Sequence, residues 1–305
     1  MAVGRLKCVG RTNIEARDSL KESQQYPREK PVRVTRVTTY SVDDQDDAVA
    51  VEEPLEIRVV FGPEEKRRSK SLSITMRTPG NDFELAAGFL LSESVVSHPD
   101  QIIGFEHVGP APDDGEHGNT LVVELGYDVP FEIEKLQRHF YTTSSCGICG
   151  KASLEAVRAQ SVVPLACSLV VDSQVVFDLP AGLRRQQAVF DRTGGLHAAG
   201  LADSAGEFLA IREDVGRHNA VDKLVGSQMQ AGIFPLIDKI LVVSGRASFE
   251  LVQKALMARI PMMAAVGAPS SLAVDLAEEF GMTLIGFTSD QRFNIYTGRQ
   301  RVKNH

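Results

Sequence analysis

From residue 239 onward the chain reads strand, helix, strand, helix, strand, and no other feature constrains its fold as much. Apolar runs at 240–244, 262–266 and 283–287 are separated by helical periods at 248–259 and 270–280. Strands joined through helices in this way call for a largely parallel sheet covered by helices. Such sheets bind ligands beyond the carboxyl ends of their strands. Here those ends carry Ser244-Gly245-Arg246, Gly267-Ala268-Pro269-Ser270-Ser271 and Thr288-Ser289-Asp290.

The alternation extends upstream to about residue 143, with helical periods at 151–160, 183–193 and 216–230 and apolar runs at 175–178, 197–202 and 208–212; a last run lies at 294–296. Earlier the pattern is β-type, with runs at 36–42, 55–61 and 72–77, an acidic turn at 43–47 and a charged turn at 62–71. The second and third runs read as a hairpin. Asn81 or Asp82 is placed to cap a helix over 83–94, whose Phe83, Ala86, Ala87 and Leu90 share one face. Strands are expected at 102–108 and 120–125, and a short helix at 132–139. Residues 1–33 are polar and charged without apolar periodicity, so folding is expected to begin near Val34. The expected organisation is a flexible leader (1–33), a β-rich part (34–142) and an α/β core (143–305).

A chain of 305 residues with 43% hydrophobic content can bury a large core. Its net charge of -7 argues against a general nucleic-acid or membrane-surface binder. It contains no apolar run of the length, about 18 residues, needed to span a bilayer. The N-terminus does not read as a secretory signal, and a cytoplasmic protein is expected.

Four cysteines at 8, 146, 149 and 167 do not make a disulfide framework. Cys8 lies in the polar leader, and Cys167, in an apolar run, reads as a small hydrophobe. Cys146 and Cys149 stand in T-S-S-C-G-I-C-G-K-A-S, between glycines and ahead of Lys151 and a helical period, a setting that favours thiolate over thiol. A structural zinc site needs four ligands; no second C-x-x-C exists, and Cys167, His139, His197 and His218 are scattered. A thioredoxin-type centre would sit at the start of a strand–helix unit beside an aromatic residue, whereas this pair is mid-chain in a protein without Trp. Buried inert thiols fit poorly between glycines. A zinc deaminase needs H-x-E before P-C-x-x-C, but here His197 follows the thiols and Ala199 stands where the glutamate belongs. A further reading beside these is sulfur transfer, in which a thiolate takes a sulfane sulfur as a persulfide and a second thiol helps release it, and C-x-x-C by itself does not choose among them. No metal of its own is expected.

A second polar concentration, R-E-D-V-G-R-H-N-A-V-D-K at 212–223, surrounds a strand-to-helix turn. It reads either as a solvated helix start with i,i+4 pairs at 218/222 and 219/223, or as an anion site formed by Arg217, His218 and Asn219. Gly194 and Gly195 before His197 could let backbone amides approach a phosphate, or form a plain turn. Ser244 and Arg246 are open to the same two readings.

Taken in order, S-S-C-G-I-C-G-K, T-G-G-L-H-A-A, E-D-V-G-R-H-N-A-V-D-K, V-S-G-R-A-S-F-E and G-F-T-S-D-Q-R-F-N-I-Y resemble the FdhD family of formate dehydrogenase accessory sulfurtransferases, over roughly 34–298. The resemblance implies a cytidine-deaminase-like three-layer α/β fold without the deaminase zinc. It implies sulfur taken from a cysteine desulfurase and delivered to the molybdenum or tungsten cofactor, molybdenum bis(molybdopterin guanine dinucleotide), before that cofactor enters formate dehydrogenase. By motif, Cys146 would carry the persulfide and Cys149 assist. Phe287, Thr288, Ser289, Asp290, Gln291 and Arg292 would form the cofactor-binding loop, with Gly194, Gly195, His197, Arg217, His218, Asn219, Ser244 and Arg246 holding the guanine and phosphate ends. The alternative is a cofactor-binding chaperone that moves no sulfur. A homodimer through the helices starting near 216 and 248 is a further expectation, unless those faces are core.

Overall fold

The computed structural model describes residues 27–109, 118–130, 165 and 168–304. All four cysteines, with the helices expected at 132–139 and 151–160, lie outside the described residues.

Two sheets carry the architecture. The first, in spatial order β4-β3-β6-β5, is built from β3 (Glu53–Phe61), β4 (Arg68–Arg77), β5 (Ile102–Val108) and β6 (Thr120–Leu125). The expected hairpin is present as the antiparallel pair β3–β4. The second sheet has six strands: β8 (His197–Ala202), β9 (Phe208–Asp214), β10 (Ile240–Val243), β11 (Met262–Ala265), β12 (Thr283–Gly286) and β13 (Asn294–Thr297). Their spatial order is β13-β12-β11-β10-β8-β9, with β10, β11 and β12 parallel and the rest antiparallel to their neighbours.

The continuous apolar runs of β10–β12 follow from burial on both faces. Leu241, Val243, Met263, Ala265 and Leu284 enter one hydrophobic cluster, and Ile240, Val242, Met262, Ala264 and Ile285 enter the other. The first cluster also takes in Leu55, Ile57, Val59, Leu121, Val123 and Leu125 of the four-stranded sheet. Between the sheets lie α1 (Asp82–Ser92) and α4 (Arg217–Gln230), α1 against β6 and α4 against β8 and β9. They cross in backbone contact: a Cβ at Gly88 would stand 2.0 Å from the Asp222 carbonyl oxygen, and one at Gly226 would stand 1.8 Å from that of Glu84. The remaining helices are α2 (Ser173–Arg184), α3 (Ala188–Thr193), α5 (Phe249–Met257) and α6 (Ser271–Glu279), and two short strands, β7 (Val171–Asp172) and β14 (Val302–Lys303), pair in parallel.

Several expectations are corrected. The run 175–178 is part of α2, not a strand: Asp172 caps the helix by accepting from the Gln174 amide at 2.8 Å, and Val176, Leu179 and Leu183 fall on one buried face. The single helix expected over 183–193 is interrupted between α2 and α3. The structure begins its first strand, β1 (Glu29–Val37), ahead of Val34. The acidic stretch 43–47 is not a turn but part of β2 (Val42–Ala50), paired with β1. Cross-strand complementarity outweighs the poor strand propensity of aspartate: Arg33 faces Asp46, Arg36 faces Asp43, and Thr35 donates to Asp44 at 2.7 Å. The base of this hairpin is tied down by Arg28, which donates to the Glu213 carbonyl at 2.8 Å, and by an Arg192–Glu29 ion pair. The helices proposed as dimer faces are core. Asn219 to Met229 of α4 are buried, as is all of α5 except Glu250.

Candidate functional site

The carboxyl edge of β10–β12 collects the polar residues singled out in the sequence, because strand direction and register bring them there. Since β8 runs against β10, its first residue, His197, lies beside the turn that leaves β10. The Ser244 amide donates to the Ala198 carbonyl at 3.0 Å, and the Ala198 amide to the Ser244 hydroxyl at 2.9 Å. A Cβ at Gly245 would come within 3.5 Å of His197 Nδ1. On the other side His197 is registered with Asp214, the last residue of β9, and α4 starts three residues later. Moving outward, Gly267 leaves room for Arg246, whose Cγ would be 2.9 Å from a Cβ there. The Gly267 carbonyl accepts from the Phe287 amide at 3.1 Å. One continuous rim therefore joins His197, Gly245, Arg246, Gly267 and Phe287.

The charged stretch at the start of α4 is not a solvated helix end. Asp214 and Lys223, neither with any side-chain exposure, form an ion pair at 2.7 Å. Lys223 also donates to the Thr78 carbonyl at 2.7 Å. Asp214 accepts from the amides of Thr78 and Gly216 and from Asn219 Nδ2. Asp222 pairs with Lys254 of α5 at 2.8 Å and accepts from the Ser92 hydroxyl. Glu213 accepts from the Val189 and Phe190 amides at the start of α3. Asn219 is turned into the fold, its amide bonded to the Met76 carbonyl and Asp214 and its oxygen accepting from Thr75. These residues fix the helix; Arg217 and His218 are left at the rim.

His218 Nε2 lies 3.4 Å from the Ser248 hydroxyl and 3.7 Å from a Glu250 carboxylate oxygen. The His218 ring, helped by the Ser248 hydroxyl and the backbone at Glu250, holds that carboxyl at about 2, against the opposing effect of burial. His197 is shifted below the ordinary histidine range, first by burial and then by its neighbours Arg217 and His218; Asp214 offsets part of this. Reading from sequence missed the roles of Ser248 and Glu250, although both stand in the V-S-G-R-A-S-F-E motif.

The glycine turn and the 287–292 loop divide between framework and surface. Gly194, at φ +65°, ends α3, its amide bonded to the Phe190 carbonyl; the Gly195 amide is taken by the Thr193 hydroxyl. That turn supplies room rather than free donors, and a Cβ at Gly195 would touch the end of β2 at Ala50. Thr288 is buried, bonded through both amide and hydroxyl to the Ala265 carbonyl. The Ser289 hydroxyl accepts from the amides of Gln291 and Arg292, closing a tight turn that projects Asp290, Gln291 and Arg292 outward. Phe287, with φ +52°, presents its ring to solvent. Among the described residues Arg217, Arg246 and Arg292 have no carboxylate partner, and no cluster of three metal-ligating side chains occurs. Three guanidinium groups, two imidazoles and an aromatic face on one edge suit a ligand carrying phosphates and a planar ring.

A family model described as the FdhD/NarQ family matches residues 50–303. A sulfur carrier protein FdhD from Streptomyces avermitilis is 50% identical over 273 residues, covering 88% of this chain and 94% of that protein. Proteins of the same description from Nocardia farcinica and Sulfurisphaera tokodaii are 47% and 41% identical, over 89% and 90% of this chain and 94% and 98% of their own lengths. Among solved structures, a protein proposed to be a formate dehydrogenase accessory protein from Desulfotalea psychrophila superimposes with a TM-score of 0.67. It is 20% identical over 91% of this chain and 100% of its own, so the likeness supports the mixed α/β fold alone.

Proposed function

The chain belongs to the FdhD/NarQ family, and from that premise we propose that it is a sulfur carrier in the maturation of formate dehydrogenase. A cysteine desulfurase supplies the sulfur as a persulfide. The Cys146 thiolate attacks the outer sulfur, a new S–S bond forms on Cys146, and the desulfurase thiolate leaves. Cys149 assists release: its thiolate attacks the inner sulfur of Cys146, freeing hydrosulfide and leaving a Cys146–Cys149 disulfide for a thiol reductant to reopen. The cargo that receives the sulfur is the molybdenum bis(molybdopterin guanine dinucleotide) cofactor.

The observation that supports this cargo is the rim itself. Arg217, Arg246 and Arg292 are cations without partners among the described residues, spaced along one sheet edge beside the Phe287 ring. Guanidinium groups match phosphate oxygens in pairs, and an exposed ring offers a stacking face to a purine. Among the described residues no helix is long and apolar enough to cross a membrane.

Intact mass spectrometry tests the sulfur step after incubation with a cysteine desulfurase and cysteine. A reducible gain of about one sulfur mass, lost in Cys146→Ala, is expected from thiolate chemistry. A wild-type protein that gains nothing yet still binds cofactor would replace this reading with that of a chaperone moving no sulfur.

A further inference from the structure

We propose that the outer end of the sheet's carboxyl edge carries a docking ledge, an apolar surface bordered by carboxylates, for the protein that takes over the cargo. The inference rests on the reading of the rim as the site for a phosphate-bearing cargo and of cofactor-free formate dehydrogenase as its acceptor.

The ledge is built around Gly286, the last residue of β12. A Cβ there would stand 2.8 Å from Pro269 Cδ and 3.2 Å from Tyr296 Cε2, so the proline and the tyrosine ring meet over a residue that has no side chain. Both lie on the α6 side of the sheet. Ile295 packs into the cluster on the opposite face, so its neighbour Tyr296 turns toward the face where Ala273, Leu276 and Ala277 of α6 are buried with Leu284. Leu272 stands in the first turn of α6, just after Pro269, and Phe287 follows Gly286 directly, its amide bonded to the Gly267 carbonyl at 3.1 Å. Leu272 is 57% exposed, Phe287 40% and Tyr296 38%, and neither hydrophobic cluster includes any of the three. Folding of the chain alone therefore leaves this apolar surface in water, the condition that marks interaction sites.

Charge selects the partner. Beside Leu272 the outer face of α6 is acidic, with Asp275 and Glu278 following at steps of three residues, both exposed, and Asp290 projects from the 287–292 turn. A protein that receives a diphosphate-bearing polyanion has to offer cations at its mouth. The carboxylates bordering the ledge complement such a mouth and, in a chain of net charge -7, draw it in. Rim and border thus differ in sign: the arginines hold the cargo, and the acids meet its receiver. A second copy of this chain fits worse, since a two-fold contact would set the α6 carboxylates against their own kind.

Biolayer interferometry, with the full chain immobilised and cofactor-free formate dehydrogenase in solution, tests the ledge. The wild-type protein is expected to bind, with an association rate that falls as salt is raised. Leu272→Asp and Asp275→Lys/Glu278→Lys should each weaken binding by about tenfold or more, the effect of losing an interface anchor, and the charge-reversed variant should lose the salt dependence. Ile74→Asp, at a 69% exposed position on the four-stranded sheet, should bind like wild type. Calorimetry with guanosine diphosphate should give the wild-type affinity for all three variants, which also shows that they are folded. Unchanged binding of the enzyme by both ledge variants would overturn the proposal, and so would an equal loss in Ile74→Asp or a matching loss of nucleotide affinity in the ledge variants. Conversion of a dimer to a monomer by Leu272→Asp, seen by light scattering, would overturn it too, by giving the face to a second copy. A wild-type protein that binds guanosine diphosphate but not the enzyme loses the ledge alone; one that binds neither loses the cargo reading with it.

Discussion

Replacing Lys223 by Met tests whether a buried ion pair aims the candidate site. The methionine keeps most of the volume but leaves Asp214 with its three N–H donors and no counter-charge, in a place with no exposed side-chain surface. The Thr78 carbonyl loses its 2.7 Å donor as well. Breaking a buried pair from one side costs about 3–5 kcal/mol. At roughly 2–4 °C per kcal/mol for a chain of this size, Tm should fall by roughly 10 °C. Urea unfolding should give a lower midpoint with an unchanged slope. Because Asp214 also bonds Gly216 and Asn219, the start of α4 should loosen, and guanosine diphosphate affinity should fall even where the protein is fully folded. The double variant Asp214→Asn/Lys223→Met should cost less than the two single changes together, by about 2 kcal/mol, since the stranded charge is gone. A loss below about 1 kcal/mol for Lys223→Met, or strict additivity in the cycle, would refute the reasoning.

Gly226→Ala should destabilise by about 2–3 kcal/mol despite the better helix propensity of alanine, because α1 and α4 must separate to admit the methyl group; a raised Tm would contradict the crossing. Glu250 is ionised down to about 2 in the folded protein. It therefore adds stability above its unfolded value, about 4.5, that is lost as pH falls from there toward 2. Its side chain is 58% exposed, so the contribution is screened to less than about 1 kcal/mol. Glu250→Gln should flatten that part of the acid unfolding curve, and an unchanged curve would argue against the His218 contact. Arg292→Ala should weaken guanosine diphosphate binding by about tenfold, the worth of one charge-assisted contact; unchanged affinity in calorimetry would remove this loop from the site.

Much of this molecule was legible along the chain because short-range physics governed it. The β10–β12 repeat followed from apolar runs and helical periods, and the β3–β4 hairpin from two β-type runs around a charged turn. The rim loops then followed from strand direction. The failures share a cause. Asp43 to Asp47 looked like a turn because aspartate disfavours strands, and only the arginines across the hairpin reverse that. The stretch 175–178 looked like a strand because four residues cannot display a helical period; the Asp172 cap and the spacing to Leu183 can.

Sequence by itself determined the parallel core, the residues along its carboxyl edge, and the family to which the chain belongs. Those properties reside in periodicity and in ordered motifs, which need no partner to be read. Only the tertiary structure decided how the residues of a single motif divide their work. Of the charges packed into 212–223, Glu213, Asp214, Asp222 and Lys223 are spent on α3, on each other and on α5, while Arg217 and His218 face outward. The partners that make this division, Thr78, Ser92, Val189 and Lys254, lie 24 to 145 residues from the groups they bind. No local pattern encodes such separations, because burial and hydrogen bonding are settled by whatever the fold brings alongside.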